Sequence, residues 1–379
     1  MAKRENKLRY YIAAIIVISL IIFLCGIELF FYVYNKRHIV YFKPVAPPPH
    51  IIKDKVKLLF EDKSFDPYVG WGTNPPIKTE IKNRSLLVAQ AYGDSVTYCT
   101  DVTSDETWES QYAKMTGYYI ANMGVSAYGL DQAVLKYERY GAPLKTKHVI
   151  LGLFRRLYER LRLYQMYYYF PDESYYVWFK PIFILKNNRY ELIPAPCDNQ
   201  QCLYDLLVSN PQWLHDFLMQ HDDYYIYFQS LPLNRFPHTL AFIRDLPTIF
   251  PSLSKRPDHI INKFFRENYC LNEKTIPLVK FLIDRFVEDC KKNGSQPVFL
   301  LLYTPYDLKL IKQGKRPDSL IIDYLKSNNL SYVDTGAYIL QNWKTHNNFE
   351  ELLAPPDHMN ATGNRLIAEA LVTSSILTP

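Results

Sequence analysis

Short apolar runs alternate with amphipathic segments along most of the chain. The runs predict buried strands at residues 85–92, 118–122, 148–153, 297–303 and 331–334. Helices are predicted at residues 131–140, 280–292 and 318–328, and another begins at Ser104 and is stopped by Gly117. This alternation predicts an α/β fold with a central parallel sheet and helices on both faces, whose ligands bind at the carboxyl ends of the strands.

One apolar run is long enough to cross a membrane. Residues 10–34 are interrupted only by Glu28 and exceed the apolar part of a cleavable signal peptide, which predicts an uncleaved transmembrane helix. Four cationic residues precede this run and two follow it, so the positive-inside rule places the N-terminus in the cytoplasm and the remainder in the periplasm or outside the cell. The residues are Lys3, Arg4, Lys7 and Arg9 before the run, and Lys36 and Arg37 after it.

Three regions are predicted. Residues 1–35 form the cytoplasmic tip and anchor, residues 36–80 a proline-containing stalk and lead-in segment, and residues 81–379 the α/β domain. Residues 155–275 break the strand–helix alternation and are predicted to be a large insertion rich in tyrosine. Its aromatic side chains suit stacking on sugar rings, an acyl-chain groove, or a core beneath a long loop, and these alternatives stay open.

Composition narrows the possible partners. The chain has 379 residues, is 48% hydrophobic and carries a formal net charge of +6. It lacks the basic stripe with interleaved aromatic residues that is typical of nucleic-acid binding, and no pattern implies a metal or an organic cofactor. Cys197 and Cys202 form the one close cysteine pair, which predicts a loop disulfide in an oxidising compartment.

The candidate chemistry lies in two distant motifs. Gly93-Asp94-Ser95 follows a predicted strand, and Asp357-His358 precedes a C-terminal helix that Asn360 is predicted to cap. A serine hydroxyl at the start of a helix, beside free backbone N–H groups, suits an acyl-transfer nucleophile. The alternative is that Ser95 is only a helix N-cap.

The order of these motifs resembles the SGNH/GDSL hydrolase family, whose serine block comes first and whose histidine block comes last. The resemblance implies a three-layer α/β/α, flavodoxin-like fold. The resemblance spans residues 58–379 and rests on four blocks. These are Phe65-Asp66-Pro67-Tyr68-Val69-Gly70-Trp71, Ala91-Tyr92-Gly93-Asp94-Ser95-Val96, Asn122-Met123-Gly124-Val125-Ser126-Ala127, and Asp357-His358-Met359-Asn360 with Gly363-Asn364-Arg365 behind it. The first block resembles the lead-in of membrane-anchored members.

The resemblance implies a role for each site residue. His358 would take the proton of Ser95, and the backbone N–H groups of Ser95 and Ala127 would stabilise the oxyanion, with Ala127 standing where the family has a glycine. Asp94 would stabilise the loop.

Two positions depart from the family. No asparagine follows the third strand, where Arg156, or else Arg155, could donate to the oxyanion in its place; the alternative is that this donor is missing. The family's acid precedes the histidine by two or three residues, where this chain has Pro355 and Pro356. Asp357 is therefore the predicted acid, with a Ser-His dyad as the alternative.

Two classes of function follow. The first is a membrane-anchored serine esterase or O-acyltransferase acting on acyl esters, in the first place acetyl esters, of an envelope or extracellular polysaccharide. The second is a membrane-tethered binding or assembly factor that keeps the fold with a degraded site. Lipase or thioesterase activity is a third, weaker interpretation.

Overall fold

The computed structural model describes residues 2–38, 46–61, 65–72, 80–170, 172–230, 237–240, 275–343, 348–354 and 358–377. The strands are β1 (Leu87–Tyr92), β2 (Tyr119–Asn122), β3 (His148–Leu153), β4 (Ile182–Lys186), β5 (Arg189–Ile193), β6 (Gln296–Leu301), β7 (Tyr332–Asp334), β8 (Leu353–Ala354) and β9 (His358–Met359). The helices are α1 (Ala2–His38), α2 (Pro49–Glu61), α3 (Ser95–Tyr98), α4 (Trp108–Thr116), α5 (Leu130–Tyr140), α6 (Arg155–Glu159), α7 (Gln200–Ser209), α8 (Pro211–His221), α9 (Asp223–Ser230), α10 (Ile276–Lys292), α11 (Pro305–Lys312), α12 (Ser319–Ser327), α13 (Thr335–Asn342) and α14 (Ala361–Ser374).

The predicted apolar runs form one parallel sheet. Its strands lie in the order β2-β1-β3-β6-β7, and each neighbouring pair is parallel. All six residues of β3, the central strand, are buried, which explains why it reads as a continuous apolar run rather than an alternating one. Two groups of helices, α5 with α10 and α4 with α13 and α14, pack separately on the sheet and give the predicted three-layer α/β fold.

Local hydrogen bonding explains where the elements begin and end. The predicted strand at 85–92 starts with a 3₁₀ turn, Arg84–Leu86, because the Asn83 side chain accepts the Ser85 N–H. Gly117 ends α4 in the left-handed conformation that glycine adopts without steric cost. Asn360 caps α14 by accepting the N–H groups of Thr362 and Gly363, as the sequence predicted.

The inserted region adds a hairpin and the helices α6 to α9 among the described residues. β4 and β5 pair antiparallel, and the predicted disulfide between Cys197 and Cys202 is present, with its Cα atoms 5.6 Å apart. This disulfide lies at the start of α7, which packs against α2. Most described tyrosines of the region are core residues exposed by 7% or less, namely Tyr158, Tyr164, Tyr167, Tyr168, Tyr169, Tyr176, Tyr224 and Tyr225.

The chain divides into two compact units. The α/β unit comprises residues 47–222 and 266–379; the other comprises residues 1–46 and 223–265. The second unit contains α1, whose segment Tyr10–Val33 is the one helix in the described parts of the chain that is long and apolar enough to cross a membrane. Within it, the Glu28 carboxylate accepts the backbone N–H groups of His238 and Thr239 at 2.6 and 3.0 Å.

Candidate active site

Ser95 lies at the turn between β1 and α3. The Asp94 carboxylate caps α3 by accepting the Val96 N–H at 3.0 Å, so Asp94 stabilises the loop as predicted. Gly93 is required at this turn, because a Cβ there would lie 2.1 Å from the Thr97 hydroxyl oxygen. The turn places the serine at the carboxyl end of a central strand, where parallel sheets bind ligands.

The two distant motifs meet in space. His358 Nε2 lies 2.8 Å from Ser95 Oγ, although 263 positions separate the residues in sequence. His358 belongs to β9, whose pairing of His358 with Ala354 fixes the backbone that carries the imidazole. This hydrogen bond is the geometry that a serine nucleophile and its general base require.

The carboxylate that hydrogen-bonds the histidine belongs to a residue that the sequence patterns did not single out. The Asp101 carboxylate hydrogen-bonds His358 Nδ1, and both side chains are largely buried. Asp101 therefore lies where an acid that orients His358 would stand, and the acid role suggested for Asp357 stays a prediction. Asp357 itself lies outside the described residues.

Asp101 reaches the histidine because the nucleophile's helix is only one turn long. Cys99 adopts a left-handed conformation with φ of 58°, which ends α3, and the Thr100 N–H donates to Ser95 O at 3.2 Å. This tight turn brings the chain back beside the serine. In the sequence, Asp101 could be noticed only as a carboxylate six positions after Ser95. The spacing of apolar residues does not show that α3 ends after one turn.

The oxyanion loop, residues 123–128, is held alongside the nucleophile turn. Met123 N–H donates to Ala91 O at 2.8 Å, and Val125 N–H donates to Gly93 O at 3.1 Å. Ala127 has a φ of 67°, a left-handed conformation that glycine adopts more easily, which gives a physical reason for a glycine at this position in the resembled family. Because the Ser95 amide is the first of α3 and has no acceptor within the helix, it is the natural second donor.

The lead-in block packs against the oxyanion loop. The Trp71 indole N–H donates to Ser126 O at 3.1 Å, and the Tyr128 hydroxyl donates to Trp71 O at 2.7 Å. Gln132, behind the loop, donates from its side chain to Val69 O at 2.9 Å. These bonds give the lead-in motif a structural role next to the site.

The two candidate arginines follow β3 in the first turn of α6. Arg155 lies 3.5 Å from an Asp307 carboxylate oxygen, and its guanidinium packs over the Tyr306 ring at 5.3 Å. Those contacts direct Arg155 towards α11. Arg156 is half-buried, and its role as an oxyanion donor stays a prediction.

A third arginine, Arg160, connects the two parts of the site. Its Nη1 lies 3.3 Å from an Asp94 carboxylate oxygen and donates to Tyr128 O at 2.8 Å, joining the nucleophile turn to the oxyanion loop. The guanidinium packs over the Tyr169 ring at 5.0 Å, and both Arg160 and Asp94 are almost completely buried. The sequence placed Arg160 inside the insertion and gave no indication of this contact.

A cleft of about 480 Å³ opens beside the oxyanion loop. Its wall is largely apolar and includes Leu58, Leu59, Trp71, Val125, Val177 and Trp178. Among the described residues, no group of three or more His, Cys, Asp or Glu side chains is arranged to hold a metal ion. The described site therefore combines a serine, a histidine and a carboxylate with an adjacent apolar cleft.

The α/β fold carries Ser95, His358 and Asp101 in one hydrogen-bonded series, and the order of the sequence blocks agrees with the resemblance to the SGNH/GDSL hydrolases. Solved structures similar to it include a protein assigned to the lipolytic G-D-S-L family from Desulfitobacterium hafniense DCB-2. That protein has 11% identity and a TM-score of 0.36, over 75% of this chain and 97% of the other. TesA has 7% identity and a TM-score of 0.36, over 76% and 98% of the two chains.

A catalytic mutant of Axe2, an acetylxylan esterase from Geobacillus stearothermophilus, is also similar, with 10% identity, a TM-score of 0.37, and coverage of 77% and 95%. No protein-family model and no curated protein matches the sequence. Similarity at this level carries neither an activity nor a substrate over to this chain.

Proposed function

We propose that the protein is a membrane-anchored serine esterase or O-acyltransferase. The observation that carries this is the hydrogen-bonded series from Ser95 Oγ through both nitrogens of His358 to the Asp101 carboxylate. A largely buried, hydrogen-bonded series of nucleophile, base and acid serves acyl transfer, and such a series is not needed to stabilise a one-turn helix.

The mechanism follows from the geometry. His358 Nε2 accepts the proton of Ser95 as Oγ attacks the ester carbonyl, while Asp101 accepts the Nδ1 hydrogen and stabilises the imidazolium. The Ser95 and Ala127 amides donate to the oxyanion of the tetrahedral intermediate. When that intermediate collapses, His358 returns the proton to the leaving alcohol, and an acyl group remains on Ser95.

The second half-reaction decides between hydrolysis and transfer. Water or a sugar hydroxyl attacks the acyl-enzyme, gives its proton to His358 and releases Ser95 as the free hydroxyl. The proposed substrates are acyl esters, in the first place acetyl esters, of an envelope or extracellular polysaccharide. Support comes from the apolar segment Tyr10–Val33 of α1 and from the cationic residues that precede this segment, which favour an exported domain.

A non-catalytic assembly factor is the second candidate. The observation in its favour is that β3 is followed by Phe154 and Arg155 rather than by an asparagine donor. Loss of one oxyanion donor typically lowers kcat by about 10²–10³-fold, so a degraded site would retain the fold with little activity.

Covalent labelling separates the two candidates. The full-length protein in lipid nanodiscs is treated with a fluorophosphonate probe, alongside Ser95→Ala, His358→Ala and Ser319→Ala, the last altering an exposed serine on α12. The enzyme hypothesis expects labelling of the wild type and Ser319→Ala, and none of the other two variants. A folded wild type that does not react would favour the assembly factor.

A further inference from the structure

We propose that α8 and the β4–β5 hairpin form a second site, which binds an acidic polysaccharide chain. The site consists of an aromatic ladder on one face of α8 and of a cationic cleft at the end of that helix. This inference rests on the proposed function and names the class of polysaccharide that carries the ester, one whose sugars bear carboxylate groups.

The aromatic ladder consists of Trp213, Phe217 and His221. These residues follow one another at intervals of four positions, and their ring centroids lie 5.4 and 4.7 Å apart. At about 100° per residue, all three fall on one face of α8. Eight positions at a rise of about 1.5 Å each make this strip about 12 Å long, which suits an extended ligand.

The packing of α8 on the core comes mainly from a different face of the helix. Leu214 and Leu218 are 6% and 1% exposed, whereas Trp213 is 43% exposed. The Trp213 ring stacks on Phe217 with an interplanar angle of 18°, and Phe217 in turn packs against the buried Tyr164 ring at 4.7 Å. The ladder is therefore held in place from the core side, while its outer end remains open to a stacking ligand.

A cleft of about 540 Å³, which we call the hairpin cleft, continues the ladder. All five residues of β4 line it, together with Gln220 and His221 at the end of α8. Two cationic residues, Arg162 and Lys186, belong to its lining, and no carboxylate is among the described residues that line it. The hairpin cleft thus offers positive charge to an anionic group that lies beyond the ladder.

The two cations suit a carboxylate in different ways. Lys186 lies 3.6 Å from Glu191 across the hairpin, but both side chains are exposed, and such a pair in water contributes little. The Arg162 guanidinium carries five donors in a planar fork, so it can hold a carboxylate in a bidentate manner beside other contacts. Burial, and then the charge of Arg162, lower the pKa of His221, which keeps that ring neutral at pH 7.

An acidic sugar chain matches both parts of the site. The C–H face of a sugar ring stacks on an indole, and a carboxylate on the ring accepts charge-assisted hydrogen bonds from the cleft. A neutral sugar chain would use the ladder without the cations. An acidic peptide would use the cations without the ladder.

The second site is connected to the active site through one turn of the chain. Arg162 ends the 3₁₀ turn Arg160–Arg162, whose first residue contacts the Asp94 carboxylate and Tyr128 O. The two sites also lie in the same compact unit, residues 47–222 and 266–379. A polysaccharide held on α8 therefore stays attached to the unit that carries Ser95 between one ester and the next.

Binding of defined oligomers tests the inference on full-length Ser95→Ala in phosphatidylcholine nanodiscs, a variant that excludes turnover. Hexagalacturonate is titrated by calorimetry, with cellohexaose as the neutral chain and hexaglutamate as the acidic chain without sugar rings. Hexagalacturonate should bind about tenfold more tightly than either, because it alone engages both the ladder and the cations. No binding, or equal affinity for one of the other two oligomers, would overturn the inference.

Two exposed side chains locate the binding. Adding Trp213→Ala should weaken hexagalacturonate binding about tenfold, and Lys186→Met should weaken it about threefold. Leu320→Ala and Lys326→Met, which alter exposed residues of α12 outside the site, should leave the Kd unchanged. An unchanged Kd in Trp213→Ala would show that the chain does not bind on α8.

Failure of the second site and failure of the proposed function give different results. Fluorophosphonate labelling of the wild type reports only on the activated serine, because the probe contains no sugar. Labelling without hexagalacturonate binding would remove the second site and leave the esterase proposal intact. Binding that Trp213→Ala weakens, without labelling, would support the second site and favour the assembly factor.

Discussion

The triad carboxylate is the clearest assignment at the scale of single residues. Asp101→Asn should lower kcat by on the order of 10³–10⁴-fold with little change in KM, because His358 then loses the acceptor that fixes its tautomer. Steady-state kinetics on a p-nitrophenyl ester measure both constants.

Variants of two further aspartates show whether the loss of kcat is specific to Asp101. Asp105→Asn alters an exposed carboxylate in the same loop and should retain wild-type kcat. Asp357→Asn should do the same if Asp101 is the acid. A large loss in Asp357→Asn together with a small one in Asp101→Asn would return the acid role to Asp357.

Arg160 is expected to position both halves of the site. Arg160→Met should lower kcat by about 10²-fold, since the nucleophile turn and the oxyanion loop lose their shared contact and small displacements of reacting groups are costly. Arg160→Lys should recover part of the loss. Arg365→Met, which removes an exposed arginine paired with Glu369 on α14, serves as the matched control.

A second variant separates a positioning role of Arg160 from a role in stability. The midpoint temperature of thermal unfolding should be lower in Arg160→Met than in the wild type, because Asp94 is left as a buried unpaired charge. Combining it with Asp94→Asn should recover stability without recovering kcat. Recovery of both would mean that Arg160 only stabilises the fold.

At the scale of elements, α5 contains a buried lysine with a consequence for stability. Lys136 is fully buried, donates to Gly72 O at 3.3 Å, and has its pKa lowered by burial from 10.5 to about 7. Between about pH 7 and pH 10.5 the unfolded chain therefore binds more protons than the folded one. The free energy of unfolding should rise with pH across this window.

Lys136→Met removes the contribution of this lysine to the pH dependence of the free energy of unfolding. Urea unfolding followed by tryptophan fluorescence at pH 6.5, 8 and 9.5 should show the wild type gaining stability relative to the variant as the pH rises. Lys326→Met, which alters an exposed lysine on α12, should follow the wild type. A constant difference between wild type and Lys136→Met would show that Lys136 titrates normally.

The strands and main helices of the α/β unit were predictable because burial imposes a period on their residues. β3 and α5 match their predicted ranges to within one residue, and Asn360 and Gly117 mark helix ends through local hydrogen bonding and conformation. Ser95 and His358 could be proposed from the sequence because each stands at the edge of such an element. Asp101 and Arg160 could not, because their contacts depend on a left-handed turn and on the approach of distant loops.

At the scale of the whole molecule, topology is the property to test. The cationic residues before the apolar segment Tyr10–Val33 predict a cytoplasmic N-terminus and an exported α/β unit. The disulfide between Cys197 and Cys202 suits an oxidising compartment. Alkaline phosphatase fused after Glu61 should be active, because it requires export. Green fluorescent protein at the same position should be dark.

Charge reversal provides the control for topology. Replacing Lys3, Arg4, Lys7 and Arg9 with glutamate should increase the fraction of molecules in which the fused fluorescent protein glows. Without the charge reversal, a fluorescent green fluorescent protein fusion together with an inactive phosphatase fusion would contradict the predicted orientation.

The separation of the triad along the chain has a consequence for biosynthesis. Ser95 and Asp101 are made early, but the base that activates the serine follows 263 positions later, just before α14. In the proposed mechanism, a growing polypeptide that has not yet reached His358 therefore lacks the general base and cannot attack an ester.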